Sequence, residues 1–184
     1  MTAKPKAKVR GRGKGGANER LVCRQLSEWW TGQKKPVVFW RSGGSGSVQT
    51  VSKDSPAMAG DVMATHPDGY GLIDRFLIEL KCGRQCRTLD QLMYGSEKSP
   101  LFRWWVKARM EADAVGRGPM LIVSPQGRQA YVVMLTMAWL GLDPAKTIDW
   151  RPFLTTVLAQ DYVAAFPFAT LLENPQLRAD IERP

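Results

Sequence analysis

Apolar residues return at helical intervals through residues 18–30, where Val22, Cys23, Leu26 and Trp30 fall on one stripe. Short β-favouring runs follow at 36–41, 60–65 and 74–81. In the third run Ile78 and Leu80 alternate with Glu79 and Lys81, so a period of two puts both charges on one face of a strand. The segment Pro67-Asp68-Gly69-Tyr70-Gly71 reads as a hairpin turn joining the second and third runs. A second helix is predicted over residues 101–115, with Leu101, Trp104, Trp105, Ala108, Ala112 and Val115 facing inward and Arg103, Lys107 and Arg109 elsewhere on its surface. At that spacing the Trp pair reads as core and not as a surface for stacking on bases. Residues 120–123 and 130–135 complete the pattern as two more strands.

The order α-β-β-β-α-β-β predicts an α/β fold with a mixed central sheet flanked by helices and a site near one end of its central strands. Residues 1–14 read as a disordered basic arm, 15–141 as the domain, and 142–184 as an irregular tail with short helices, packed on the domain or at a dimer contact. Residues 46–59 read as a loop that closes over substrate or is simply mobile.

Composition narrows the partners. Lys and Arg exceed Asp and Glu by a formal +9, and cations concentrate before Arg20, so a polyanion is the expected ligand and nucleic acid its natural form. No stretch is long and apolar enough to span a membrane and no secretory signal is recognisable, which predicts a cytoplasmic protein with no membrane partner. Three cysteines argue against a disulfide framework, and Cys82 with Cys86 lacks the second pair that a zinc site would require. His66 is the sole histidine, so imidazole-based catalysis has little support.

The candidate chemistry lies in Asp61, Glu79 and Lys81. Two carboxylates and the carbonyl of Leu80 offer hard oxygen ligands suited to Mg²⁺, with Mn²⁺ expected to substitute and no small-molecule cofactor required. Lys81 beside them suits the orientation of a water or a phosphate. Glu19 precedes Val22 and Cys23 on the inward stripe, where a carboxylate needs a cation or a donor. One reading makes it an acid of the helix's first turn. The preferred reading aims it at Asp61 and Glu79.

This arrangement resembles the PD-(D/E)xK nuclease superfamily, with Gly60 standing where the motif name has proline. The run from Val37 to Gly46, a strand ending in Arg41-Ser42 before a Gly/Ser stretch, is similar to the archaeal type of Holliday-junction resolvase over residues 14–82, and to small phage-encoded nucleases of the superfamily beyond. The resemblance implies a restriction-endonuclease-like fold, with Glu19, Asp61, Glu79 and Lys81 catalytic and the metal held by Asp61, Glu79 and Leu80. It also implies a homodimer able to cut two strands. Lys14, Arg20, Arg41, Ser42, Ser45 and Gln91 are the expected nucleic-acid contacts. The expected function is Mg²⁺-dependent hydrolysis of DNA, with branched DNA favoured. The alternatives are a nuclease of linear duplex or DNA ends, and a non-catalytic basic DNA-binding accessory protein.

Overall fold

The computed structural model describes residues 12–42, 59–86, 99–135, 154–158, 160–173 and 178. In chain order these form α1 (Arg12–Thr31), β1 (Phe39–Arg41), β2 (Val62–Ala64), a 3₁₀ turn (Pro67–Gly69), α2 (Tyr70–Arg75), β3 (Phe76–Gly83), α3 (Pro100–Ala114), β4 (Gly118–Pro125), β5 (Tyr131–Leu135), β6 (Leu154–Leu158), β7 (Asp161–Pro167) and α4 (Phe168–Leu172).

A five-stranded sheet runs β3-β4-β5-β7-β6, with β3 parallel to β4 and every other pairing antiparallel. A parallel pair needs a crossover, and α3 supplies it between β3 and β4. Ser99 caps α3 through a hydrogen bond from the Phe102 amide at 3.2 Å, and Pro100, lacking an amide hydrogen, fits its first turn.

Each face of the sheet carries its own core. Val22, Cys23, Leu26 and Trp30 of α1 pack with Ile78, Leu80, Met120, Ile122, Val132 and Met134 on one side. Leu101 and Trp105 of α3 pack with Leu121, Val123, Tyr131 and Val133 on the other. Being covered twice explains why β4 is apolar without alternation through Met120-Leu121-Ile122-Val123. The Trp105 ring is fully buried and its Nε1 donates to Asp161 Oδ2 at 2.8 Å, in accord with the core reading.

The mixed α/β sheet flanked by helices agrees with the expected fold class, with three differences in detail. First, β2 and β3 form no hairpin: Pro67–Gly69 and α2 separate them, and β2 instead pairs antiparallel with β1 in a two-stranded ribbon. Second, the expected irregular C-terminal tail contains β6 and β7, whose pairing extends the main sheet, followed by the short helix α4. Third, α1 begins at Arg12, so residues 12–14, assigned from sequence to the arm, are helical.

The ribbon is tied to α1 from within. Ser27 Oγ donates to the Cys23 carbonyl at 2.8 Å and accepts from the Phe39 amide at 3.0 Å, so one buried hydroxyl connects helix and strand. The ribbon thereby meets the edge of β3 that does not face β4.

Candidate active site

Asp61 reaches β3 through its backbone and its side chain together. Its amide donates to the Ile78 carbonyl at 2.8 Å, and its Oδ2 accepts from the Leu80 amide at 2.8 Å. Within a strand the amide and carbonyl of one residue point to the same side, so the Leu80 carbonyl also lies on this edge, away from β4. On the ribbon, the Ser42 amide donates to the Asp61 carbonyl at 3.0 Å and Ser42 Oγ donates to the Gly60 carbonyl at 2.6 Å. The nearest part of the Gly/Ser segment thus holds the Asp61 turn in place.

Gly60 has a structural reason to replace proline. Its φ is +85°, and a Cβ there would stand 2.8 Å from the Ile78 carbonyl oxygen. Proline, locked near −65°, does not adopt this conformation.

Glu79 and Lys81 share the face of β3 that α3 covers, as the alternation predicts. Lys81 Nζ lies 3.1 Å from Glu79 Oε1 and 3.8 Å from Asp61 Oδ2. A second lysine, which sequence reasoning left on the helix surface, enters the cluster: Lys107 of α3 donates to the same Glu79 Oε1 at 3.0 Å and to Glu111 Oε2 at 3.2 Å. Its only signal in the sequence is the spacing of Lys107 and Glu111 as helical neighbours, too common to identify a site.

Both carboxylates are buried, and their acidities diverge. Burial raises Asp61 first, and the hydrogen bond and charge of Glu79 push it further, to about 7. Burial also opposes ionisation of Glu79, but the hydrogen bond from Asp61 and the charges of Lys81 and Lys107 outweigh it and hold this group at about 2. The pair therefore takes up its first proton around neutrality and its second only at strongly acid pH. Two carboxylates close enough to share a proton, beside a main-chain oxygen, form a donor set that fits a hard divalent cation. Among the described residues no group of three or more His, Cys, Asp or Glu side chains converges as a metal site, so this set is small.

Glu19 lies well inside α1, which removes the first-turn reading. Its Oε2 lies 3.4 Å from Arg41 Nη1, and its charge, like that of Asp61, adds to the upward push that burial first gives the pKa of the Cys23 thiol. Glu19 also acts on Cys82, which by alternation shares the α1 face of β3 with Ile78 and Leu80. Glu19 and Glu79 therefore belong to opposite faces of the sheet. A methyl group on Gly16 would stand 3.0 Å from Arg41 Nη1 and 3.5 Å from Arg20 Nη1, so both guanidinium groups gather over this turn of α1. Ser45 and Gln91 lie outside the described residues, as does the side chain of Lys14.

A family model described as "Phage putative PDDEXK endonuclease" matches residues 10–156. The chain belongs to this family. The match spans α1, Asp61, β3 and the lysine of α3, so the Asp61-Glu79-Lys81 constellation lies within a PD-(D/E)xK nuclease framework. Neither the curated proteins nor the solved structures contain a match to the chain. No helix among the described residues is long and apolar enough to cross a membrane.

Proposed function

We propose that this member of the PD-(D/E)xK family is a divalent-metal-dependent DNA endonuclease, selective for branched DNA and acting as a homodimer. The observation that carries the hydrolytic reading is the convergence of Asp61, Glu79 and Lys81 beside the edge of β3 that does not face β4. Asp61 and Glu79, with the Leu80 carbonyl, would hold Mg²⁺ or Mn²⁺ through hard oxygens. When bound, such a cation supplies Lewis acidity, activating a water and offsetting charge on the phosphate.

The chain's own groups do the rest. Lys81, half-sheltered beside both carboxylates, donates a hydrogen bond to the attacking water or to a phosphate oxygen. Arg41 and Arg20 bind phosphates on the α1 side, and Glu19 completes the site there by fixing the Arg41 guanidinium. Ser42 holds the Asp61 turn through the Gly60 carbonyl. Lys14, Ser45 and Gln91 are assigned as further DNA contacts from the resemblance to resolvases. That resemblance and the ribbon bearing Arg41 and Ser42 support the branched substrate.

The test is Mg²⁺-dependent cleavage of a panel: four-way junction, flap, nicked duplex, linear duplex and single strand. Symmetric cutting of the four-way junction is expected, with linear duplex cut at least tenfold more slowly. Equal cutting of every duplex form would remove the branch selectivity, and absence of cutting on all of them would leave a DNA-binding protein.

A further inference from the structure

We infer that the outward face of α3 is a docking track for a DNA strand, with Arg103 and Lys107 contacting successive phosphates and delivering the backbone to Glu79. The inference rests on the nuclease reading for the sense of that delivery, but binding on this face is independent of catalysis.

Three observations converge on the face. Lys107 is shared between it and the carboxylate cluster: its amine spends one donor on Glu79 and one on Glu111, and with the side chain 54% exposed its third donor is available to an acceptor from outside. Arg103 lies one helical turn before Lys107 on the same side of the helix, and its guanidinium makes no ion pair among the described residues. Between and beside these cations runs a groove of about 360 Å³, lined by Phe102, Val106 and Met110 together with Arg103, Lys107 and Glu111.

Charge complementarity selects the occupant. A groove that carries Arg103 and Lys107 against the one carboxylate of Glu111 keeps an excess of positive charge, which suits an anionic chain that presents apolar surface between its charges. A nucleic-acid strand has that form: phosphates meet Arg103 and Lys107, and the sugar and base edges lie over Phe102, Val106 and Met110. Met110 is an exposed apolar side chain, which fits an intermittently covered surface.

The experiment measures affinity of the full chain for a fluorescent DNA duplex carrying a single-stranded flap, in EDTA, as a function of salt. Arg103→Met and Lys107→Met are each expected to make the slope of log affinity against log salt shallower by about one, the double variant by about two, and Lys107→Arg to restore the native slope. Met110→Glu, which sits on an exposed helical position and keeps the fold, is expected to weaken binding at least fivefold. A native slope in the Arg103→Met variant, whose side chain holds no ion pair among the described residues, would overturn the track. So would a shift from dimer to monomer on Met110→Glu, which would make the groove a contact between copies of this chain. Mg²⁺ cleavage is scored separately on the full panel that includes the four-way junction: native cutting with unchanged slopes removes the track alone, whereas altered slopes without cutting of any substrate leave the track and remove the nuclease reading.

Discussion

Asp61 Oδ2 accepts a hydrogen bond from the Leu80 amide at 2.8 Å, while Asp61's own amide donates to Ile78 at 2.8 Å. The candidate ligand is thus fixed by two bonds to the strand that carries Glu79. Asp61→Asn keeps an oxygen able to accept from Leu80, so its fold should survive while a hard anionic donor is lost. The expected result is at least a hundredfold fall in cleavage with native circular dichroism. Asp61→Ala leaves the buried Leu80 amide without its acceptor, a cost of about 1–3 kcal/mol, and also removes the proton-sharing contact with Glu79. Urea titration of both variants separates the two effects.

The divided acidities of the carboxylate pair predict an unusual stability profile in the absence of divalent metal. Asp61 is raised from 3.8 to about 7, so the folded state binds its proton more tightly and this contribution is full below 3.8 and lost as pH rises through about 7. Glu79 is lowered from 4.5 to about 2, so its contribution is full above 4.5 and lost as pH falls through about 2. The contribution of this pair to the melting temperature should accordingly be largest near pH 4–5 and decline towards pH 8. Mg²⁺ binds the deprotonated pair and should raise the melting temperature more at pH 8 than at pH 5. An equal metal response at both values, in thermal melts of the native protein, would show that Asp61 does not hold the proton that metal must displace.

Gly60 offers a purely structural test of how the site is built. Alanine there meets both the unfavourable φ of +85° and the Ile78 carbonyl at 2.8 Å. The expected loss is about 1–3 kcal/mol in chemical denaturation, with cleavage falling further than stability because Asp61 is the next residue. Gly32, with φ of +69° and open space around its Cβ position, is the comparison: Gly32→Ala should cost less and leave cleavage native.

How far the sequence could be read depended on what each segment's pattern was for. The α1 stripe and the alternation in β3 were legible because each buries one face: Val22, Cys23, Leu26 and Trp30 are all buried, and Glu79 and Lys81 do share a face. β6 and β7 were hidden because their connection lacks the Asn-Gly or Asp-Gly of common hairpins. Gln160 instead takes the left-handed conformation, with φ of 71°. The supposed hairpin before β3 failed for the opposite reason. Pro67-Asp68-Gly69 carries strong turn chemistry, but Asp68 and Gly69 lead into α2, where Leu72 and Ile73 are buried. Lys107 was invisible since nothing in α3 records that its exposed side meets Glu79 on the strand the helix covers.

Glu19 and Arg41 lie 3.4 Å apart with Arg41 exposed, so their pair should contribute less than about 1 kcal/mol to stability. The interest of the pair is in how its loss propagates. If Glu19 acts by fixing Arg41, then Glu19→Gln and Arg41→Gln should each weaken DNA binding, and the double variant should be no worse than Arg41→Gln alone. The melting-temperature rise produced by Mg²⁺ should stay native in all three, because Asp61 and Glu79 are untouched. If Glu19 instead reaches the metal from the α1 face, Glu19→Gln should shrink that rise while Arg41→Gln does not. Binding titrations in EDTA together with melts in Mg²⁺ distinguish these outcomes, and the expected one is coupling in binding with an unchanged metal response.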